Sequence, residues 1–157
     1  MDWQRHLLAA SGYLELGMIE DAARELMEID AEDRGRNEII GFCVHLYSQW
    51  QRWGMAAAAA KRMVEVDPGQ SQWWISLAYA TRRHESVERA EEILLEARKL
   101  HPKEAIIYYN LACYACVTGR LDQARERLNT AIGMDESIRA LAREDADLRP
   151  MREFLDL

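Results

Sequence analysis

The chain has 157 residues, with 22 Ala set against 8 Gly, 3 Pro and 18 β-branched residues, a balance that favours helix and excludes a β-sandwich or barrel. At this length one compact domain buries about 68–70% of its unfolded surface, so its core needs neither disulfides nor a structural metal. The 27 Asp and Glu outnumber the 20 Lys and Arg and leave a net charge of −7, which argues against nucleic acid and acidic lipid as partners.

The chain begins without an apolar stretch of signal-peptide type, and no segment reaches the ~18 consecutive apolar residues of a membrane span. A cytoplasmic location is the expectation. Apolar residues at helical spacing predict helices over 2–15 and 19–29, 37–50 and 55–66, 71–83 and 86–100, and 105–118 and 121–133. In the third pair, Trp74, Leu77, Ala78 and Thr81 form one stripe and Ala90, Ile93, Leu94 and Ala97 the facing one, so the two helices pack antiparallel. Gly17 and Gly119 stand just past the first helix of their pairs, where positive φ ends a helix without steric cost, and Gly54 is expected to do the same in the second pair. Gln51 and Glu85 occupy the glycine column of the middle pairs. Beyond 136, apolar residues at Ile138, Leu141, Leu148, Met151, Phe154 and Leu155 predict two short helices that cap the last pair.

A shift of 34 residues superposes Ala22, Ala56, Ala90 and Ala124, then Leu26, Ala60, Leu94 and Leu128, and also Ala10, Val44, Ala78 and Ala112. Three columns at one period mark an internal repeat. Pro68 and Pro102 recur in the same register. The stretches WWISLAYATRRHESVERAEEILLEARKLHP and YYNLACYACVTGRLDQARERLNTAIGMD resemble the tetratricopeptide repeat family, although His6 and Ile40 stand where that family prefers Trp. The resemblance implies an all-α, right-handed α-solenoid of about four antiparallel helix hairpins with C-terminal capping helices. It would form a single domain over 1–157, with repeats at about 3–36, 37–70, 71–104 and 105–138 and a capping tail over 137–157.

In that family the first helices of successive repeats line a concave groove that binds partner peptides or helices. Geometry places Leu7, Ser11 and Leu14, then Gly41, His45 and Ser48, then Ile75, Tyr79 and Arg82, then Tyr109, Cys113 and Cys116 along it. Partner binding is expected at Ile75, Tyr79, Arg82, Arg83, Tyr109, Cys113, Cys116 and His45, with the two Arg orienting acidic groups. The opposing reading is that the tail covers this stripe, and that Arg82, Arg83 and His84 only complement the end of their helix. Branches of the family that clamp chaperone C-termini use Lys and Asn in the groove. Here Leu7, Ser11, Phe42, Gln72 and Ser76 hold those places, so such a clamp is not expected.

Trp53 and Trp74 fall on packing positions, whereas Trp3, Trp50 and Trp73 lie off the core columns and are expected to mark a second contact surface or self-association. Cys113 and Cys116 form a CxxC in mid-helix, without the helix N-terminus that activates a thiol and without the other two ligands of a zinc site. No metal, cofactor or disulfide is expected. Phosphate loops, GxSxG and HExxH motifs are absent, so the chain does not read as an enzyme. The sequence points to a scaffold or adaptor that binds a protein partner in its groove. A homo-oligomeric structural protein and a client-shielding assembly or secretion chaperone are the alternatives.

Overall fold

The computed structural model describes residues 2–155. Its helices are α1 (Asp2–Glu15), α2 (Ile19–Met27), α3 (Asn37–Gln49), α4 (Trp53–Val66), α5 (Ser71–His84), α6 (Val87–Leu100), α7 (Ala105–Val117), α8 (Leu121–Met134), α9 (Ile138–Glu144) and α10 (Arg152–Leu155), with a 3₁₀ helix over Ala146–Met151. The eight long helices follow the predicted boundaries to within two residues. Among the described residues no helix is long and apolar enough to cross a membrane. The chain divides into two compact units, one ending at Glu85 and the other beginning at Ser86.

In the first unit, α1 packs on α2, α3 on α4, and α4 on α5. Its core has two centres. Ala10, Leu14, Ala22 and Leu46 are joined by Tyr13, Ile19, Leu26 and Phe42. Val44, Ala60, Met63 and Trp73 are joined by Ile40, Ala59, Val64 and Leu77. The repeat columns lie inside both units: Ala10, Ala22, Ala56, Ala60, Ala78, Ala90, Ala112 and Ala124 have no exposed surface. Small side chains there let helix axes approach closely, and a larger residue would push them apart.

The turns between paired helices repeat one backbone solution. After α1, the Gly17 amide donates to Leu14 O and the Met18 amide to Tyr13 O; after α7, Gly119 and Arg120 bond to Cys116 O and Ala115 O in the same way. Both glycines have positive φ, +75° and +80°. Gln51 makes the same turn after α3 at φ +57°, with its amide on Ser48 O and that of Arg52 on Tyr47 O. Glu85 departs, with φ −121°.

Gly54 does not end a helix. It lies in the first turn of α4, where a Cβ would stand 2.9 Å from the His84 ring, so its bare backbone makes room for that side chain. The tryptophan pair is also reversed from expectation. Trp73 is buried in the core, whereas half-buried Trp74 donates from its indole to Pro68 O at 3.0 Å. One repeat later Tyr108 makes the equivalent bond, to Pro102 O at 2.9 Å, so the shared column serves to fix the turn before each helix.

In the second unit α7 is buried on nearly all sides, from Leu111 to Cys116 without a break. It packs against α6, α8 and the 3₁₀ helix. Ser86 caps α6 by accepting the Arg89 amide at 3.2 Å. The tail forms the predicted cap: α9 lies on α8, and Arg139 and Arg143 both donate to Leu155 O to hold α10 against it. Leu148, Met151 and Leu155 are its buried anchors.

Candidate partner-binding groove

In the first unit α1 and α3 run beside one another, and a groove of about 940 Å³ opens between them, closed at one end by Trp73 of α5. Its walls are Trp3, Leu7, Leu8 and Ser11 from α1, and Gly41, Phe42 and His45 from α3. Gly41 allows this shape, because a Cβ there would stand 3.1 Å from Trp73 Cη2. The indole therefore lies directly against the α3 backbone. His45 is exposed with its ring centroid 6.0 Å from that of Trp73, and the Arg36 guanidinium sits 4.9 Å above the Trp3 ring. Leu8 is 76% exposed, an apolar side chain presented to the open groove.

Of the predicted site residues, His45 lines this groove, as do Leu7, Ser11 and Gly41 from the same geometric stripe. The sequence reading placed Trp3 and Trp73 on a second contact surface instead of in this groove, named Phe42 only as a groove position without the clamp's Lys or Asn, and missed Leu8. In α1 the signal was masked, because Trp3, Leu7, Ala10 and Leu14 recur at i, i+4, i+7 and i+11 and read as one core stripe, with Leu8 alone off it.

Ile75, Tyr79, Arg82 and Arg83 lie on α5 but do not line the groove. Ile75 and Arg82 are half-buried. Tyr79 is 47% exposed and meets the Trp53 ring edge-on, at 5.6 Å between centroids. The Arg83 guanidinium stacks 3.6 Å from the Tyr79 centroid and 5.1 Å from that of Trp53, so two ring faces of its own unit already hold this cation. Tyr79, Arg83 and Trp53 form a separate aromatic and cationic patch where α5 ends and α4 begins.

Tyr109, Cys113 and Cys116 are 5%, 3% and 5% exposed, far from the open lining predicted for them. The tail is the cause. The 3₁₀ helix packs on α7, and Asp145 just ahead of it accepts the Tyr109 hydroxyl, with Cys113 Sγ 3.7 Å from the same oxygen. Burial and the Asp145 carboxylate together push the Tyr109 hydroxyl far above its ordinary pKa. Burial, with Asp147 and Asp145 nearby, also raises the Cys116 thiol, which opposes thiolate chemistry at the CxxC. Donor atoms of Cys113, Asp145 and Asp147 lie within 4.8 Å of one another. One Asp145 oxygen is already engaged by Tyr109, however, and the other accepts the Asp147 amide at 2.9 Å. The arrangement is explained as a latch for the tail.

Neither a family model nor a curated protein sequence matches the chain. Solved structures do. MamA from the strain MSR-1 superposes with a TM-score of 0.77 at 18% identity, over 88% of this chain and 79% of that one. MamA from Desulfovibrio magneticus RS-1 gives 0.78 at 15%, over 99% and 86%. A thermophilic TPR protein of Thermus thermophilus gives 0.68 at 17%, over 98% of both chains. The fold is that of tetratricopeptide-repeat solenoids, as the resemblance implied.

Proposed function

We propose that this all-helical repeat protein is a protein-interaction module that receives an apolar segment of a partner protein in the groove between α1 and α3. The observation that carries the reading is the groove itself: about 940 Å³ in volume, walled by Trp3, Leu8, Phe42 and Trp73, with Leu8 left largely in solvent. Burying exposed apolar surface is the dominant gain in protein association, and aromatic side chains in a concave site are favoured anchors. A helical or extended segment with bulky apolar side chains suits this shape. The Tyr79, Arg83 and Trp53 patch is a second contact on the same unit for an acidic flank of that partner, since exposed Arg83 presents the remaining donors of its guanidinium.

The test is a comparative capture from the source cell's lysate with wild type, a Leu8→Glu and His45→Glu double variant, and a Tyr79→Ala and Arg83→Glu double variant, read by mass spectrometry. All four side chains are exposed, so the variants are expected to keep their helical circular dichroism. A partner retained by wild type and lost by the groove variant supports the assignment. Identical sets for wild type and the groove variant reject it.

A further inference from the structure

Helix α3 presents cavities on two sides. The groove residues Gly41, Phe42 and His45 lie on one side, and Ile39, Cys43, Leu46 and Tyr47 lie roughly half a turn away around the helix. These latter residues floor a separate cavity of about 510 Å³ between α2 and the start of α4, walled further by Leu26, Met27 and Met55. An adjoining hollow of about 360 Å³ shares Cys43, Tyr47 and Met55 and continues along α4 past Ala58 and Ala59. The turn joining α2 to α3 contributes Arg34 to this lining. Arg34 donates from Nε to Ile29 O and from Nη2 to Met27 O, both at 2.7 Å, fixing the turn against the end of α2.

The chemistry of the lining is one-sided. Its charged residues are all cations, Arg34 and Arg52 at the larger cavity and Arg62 at the smaller, in a chain whose net charge is −7. Between them the walls are aliphatic, thioether, thiol and aromatic. Met27 and Met55 stand 72% and 51% exposed at the border, where flexible thioethers adapt to an apolar body. We propose that this cavity is a binding site for a single long-chain carboxylate, its hydrocarbon chain lying along Leu26, Cys43, Tyr47 and Met55 and its head group meeting Arg52, since Arg34 already donates to Ile29 O and Met27 O. A half-enclosed apolar cavity inside the about 300–1,000 Å³ range of small-molecule sites, with few polar groups at its edge, suits such an amphiphile. Burial raises the Cys43 thiol to about 11, consistent with an apolar wall at that point.

The test titrates the full chain with monomeric dodecanoate by calorimetry, beside dodecyltrimethylammonium, which has the same chain and the opposite charge. The rate of Cys43 labelling by a thiol reagent is followed in parallel. The expected result is saturable one-to-one binding of dodecanoate, at least tenfold tighter than the ammonium compound, with Cys43 protected. Exposed Arg52 is replaced in Arg52→Glu, which is expected to weaken dodecanoate at least tenfold, whereas the groove variant Leu8→Glu leaves it unchanged. Absence of saturable binding, equal affinity for the two head groups, or loss with Leu8→Glu in place of Arg52→Glu each overturns the proposal. So does sedimentation with phosphatidylglycerol vesicles without binding of monomeric dodecanoate, which would make the face a membrane contact. The comparison of head groups needs no variant and stands if Arg52→Glu does not fold.

Discussion

Arg127 on α8 holds Glu91 on α6 at 2.7 Å, with both residues less than a tenth exposed. The same Arg127 nitrogen donates to Leu111 O at 3.1 Å, and Arg120 closes on the other Glu91 oxygen at 2.6 Å. One carboxylate thus ties α6 to both helices of the last hairpin and to the turn between them. Replacing Glu91 by Ala leaves Arg127 buried without its counter-charge, and the cost is expected to be about 3–5 kcal/mol in a urea titration. Exchange of the trio for apolar residues of similar volume is expected to be far milder, because the desolvation cost leaves with the charges.

The trio also sets an acid limit. Burial pushes the Glu91 carboxyl up, but the hydrogen bonds and charges of Arg120 and Arg127 outweigh it and leave the pKa below its ordinary value. A depressed folded-state pKa stabilises fully above the unfolded value, near about 4.3, and that stabilisation is lost as pH falls through the folded value. The stability difference between wild type and Glu91→Gln is therefore expected to be constant from neutral pH down to about 5 and to shrink below about 4. A difference that stays flat to pH 3 would remove Glu91 from the acid transition.

Asp145 serves as a latch for the tail, accepting from the Tyr109 hydroxyl, the Asp147 amide and Cys113. Asp145→Ala is expected to release the 3₁₀ helix from α7 and raise the labelling rates of Cys113 and Cys116 several-fold, while that of Cys43 stays constant. Tyr109→Phe removes one bond to a charged acceptor and is expected to cost about 1.5–3 kcal/mol. Mass spectrometry of partly labelled protein resolves the three thiols.

Gln51 adopts left-handed backbone, φ +57°, at the column where Gly17 and Gly119 stand. A side chain there costs about 1–2 kcal/mol that glycine avoids. Gln51→Gly is expected to stabilise the chain by about 0.5–1 kcal/mol, and Gly17→Ala to destabilise it by a similar amount although nothing lies within 4 Å of the added Cβ. The pair of substitutions, compared by thermal melting, separates backbone strain from packing.

The helices and small-residue columns were legible because each repeat solves the same local packing problem, so Ala56, Ala90 and Ala124 carry one meaning wherever they recur. Relations between repeats were not. Tyr109 and Cys113 have the pattern of an open stripe, and only the return of Asp145, 36 and 32 residues later, covers them. Trp73 and Trp74 differ by a rotation of about 100° on one helix, and the buried one, Trp73, is the one that lies against Gly41 of another helix. Glu91 and Arg127 did leave a trace, each standing beside a core column at Ala90 and Leu128.

Gly41 provides the sharpest test of how the groove is built. Its Cα faces the Trp73 indole so closely that an added Cβ would stand 3.1 Å from Cη2 and 3.5 Å from Cζ2. Trp73 is held in turn by Val44, Ala60 and Met63, so it cannot retreat without disturbing that cluster. Gly41→Ala gains helix propensity of about 1 kcal/mol, while overpacking a closed core costs about 1–3 kcal/mol. The net effect on stability is expected to be small, with the strain expressed as a rotated indole. Near-ultraviolet circular dichroism should change more than the melting temperature, and affinity for a groove-bound partner should fall with it. A variant with wild-type near-ultraviolet signal and affinity would show that Trp73 has room to move and does not define the end of the groove.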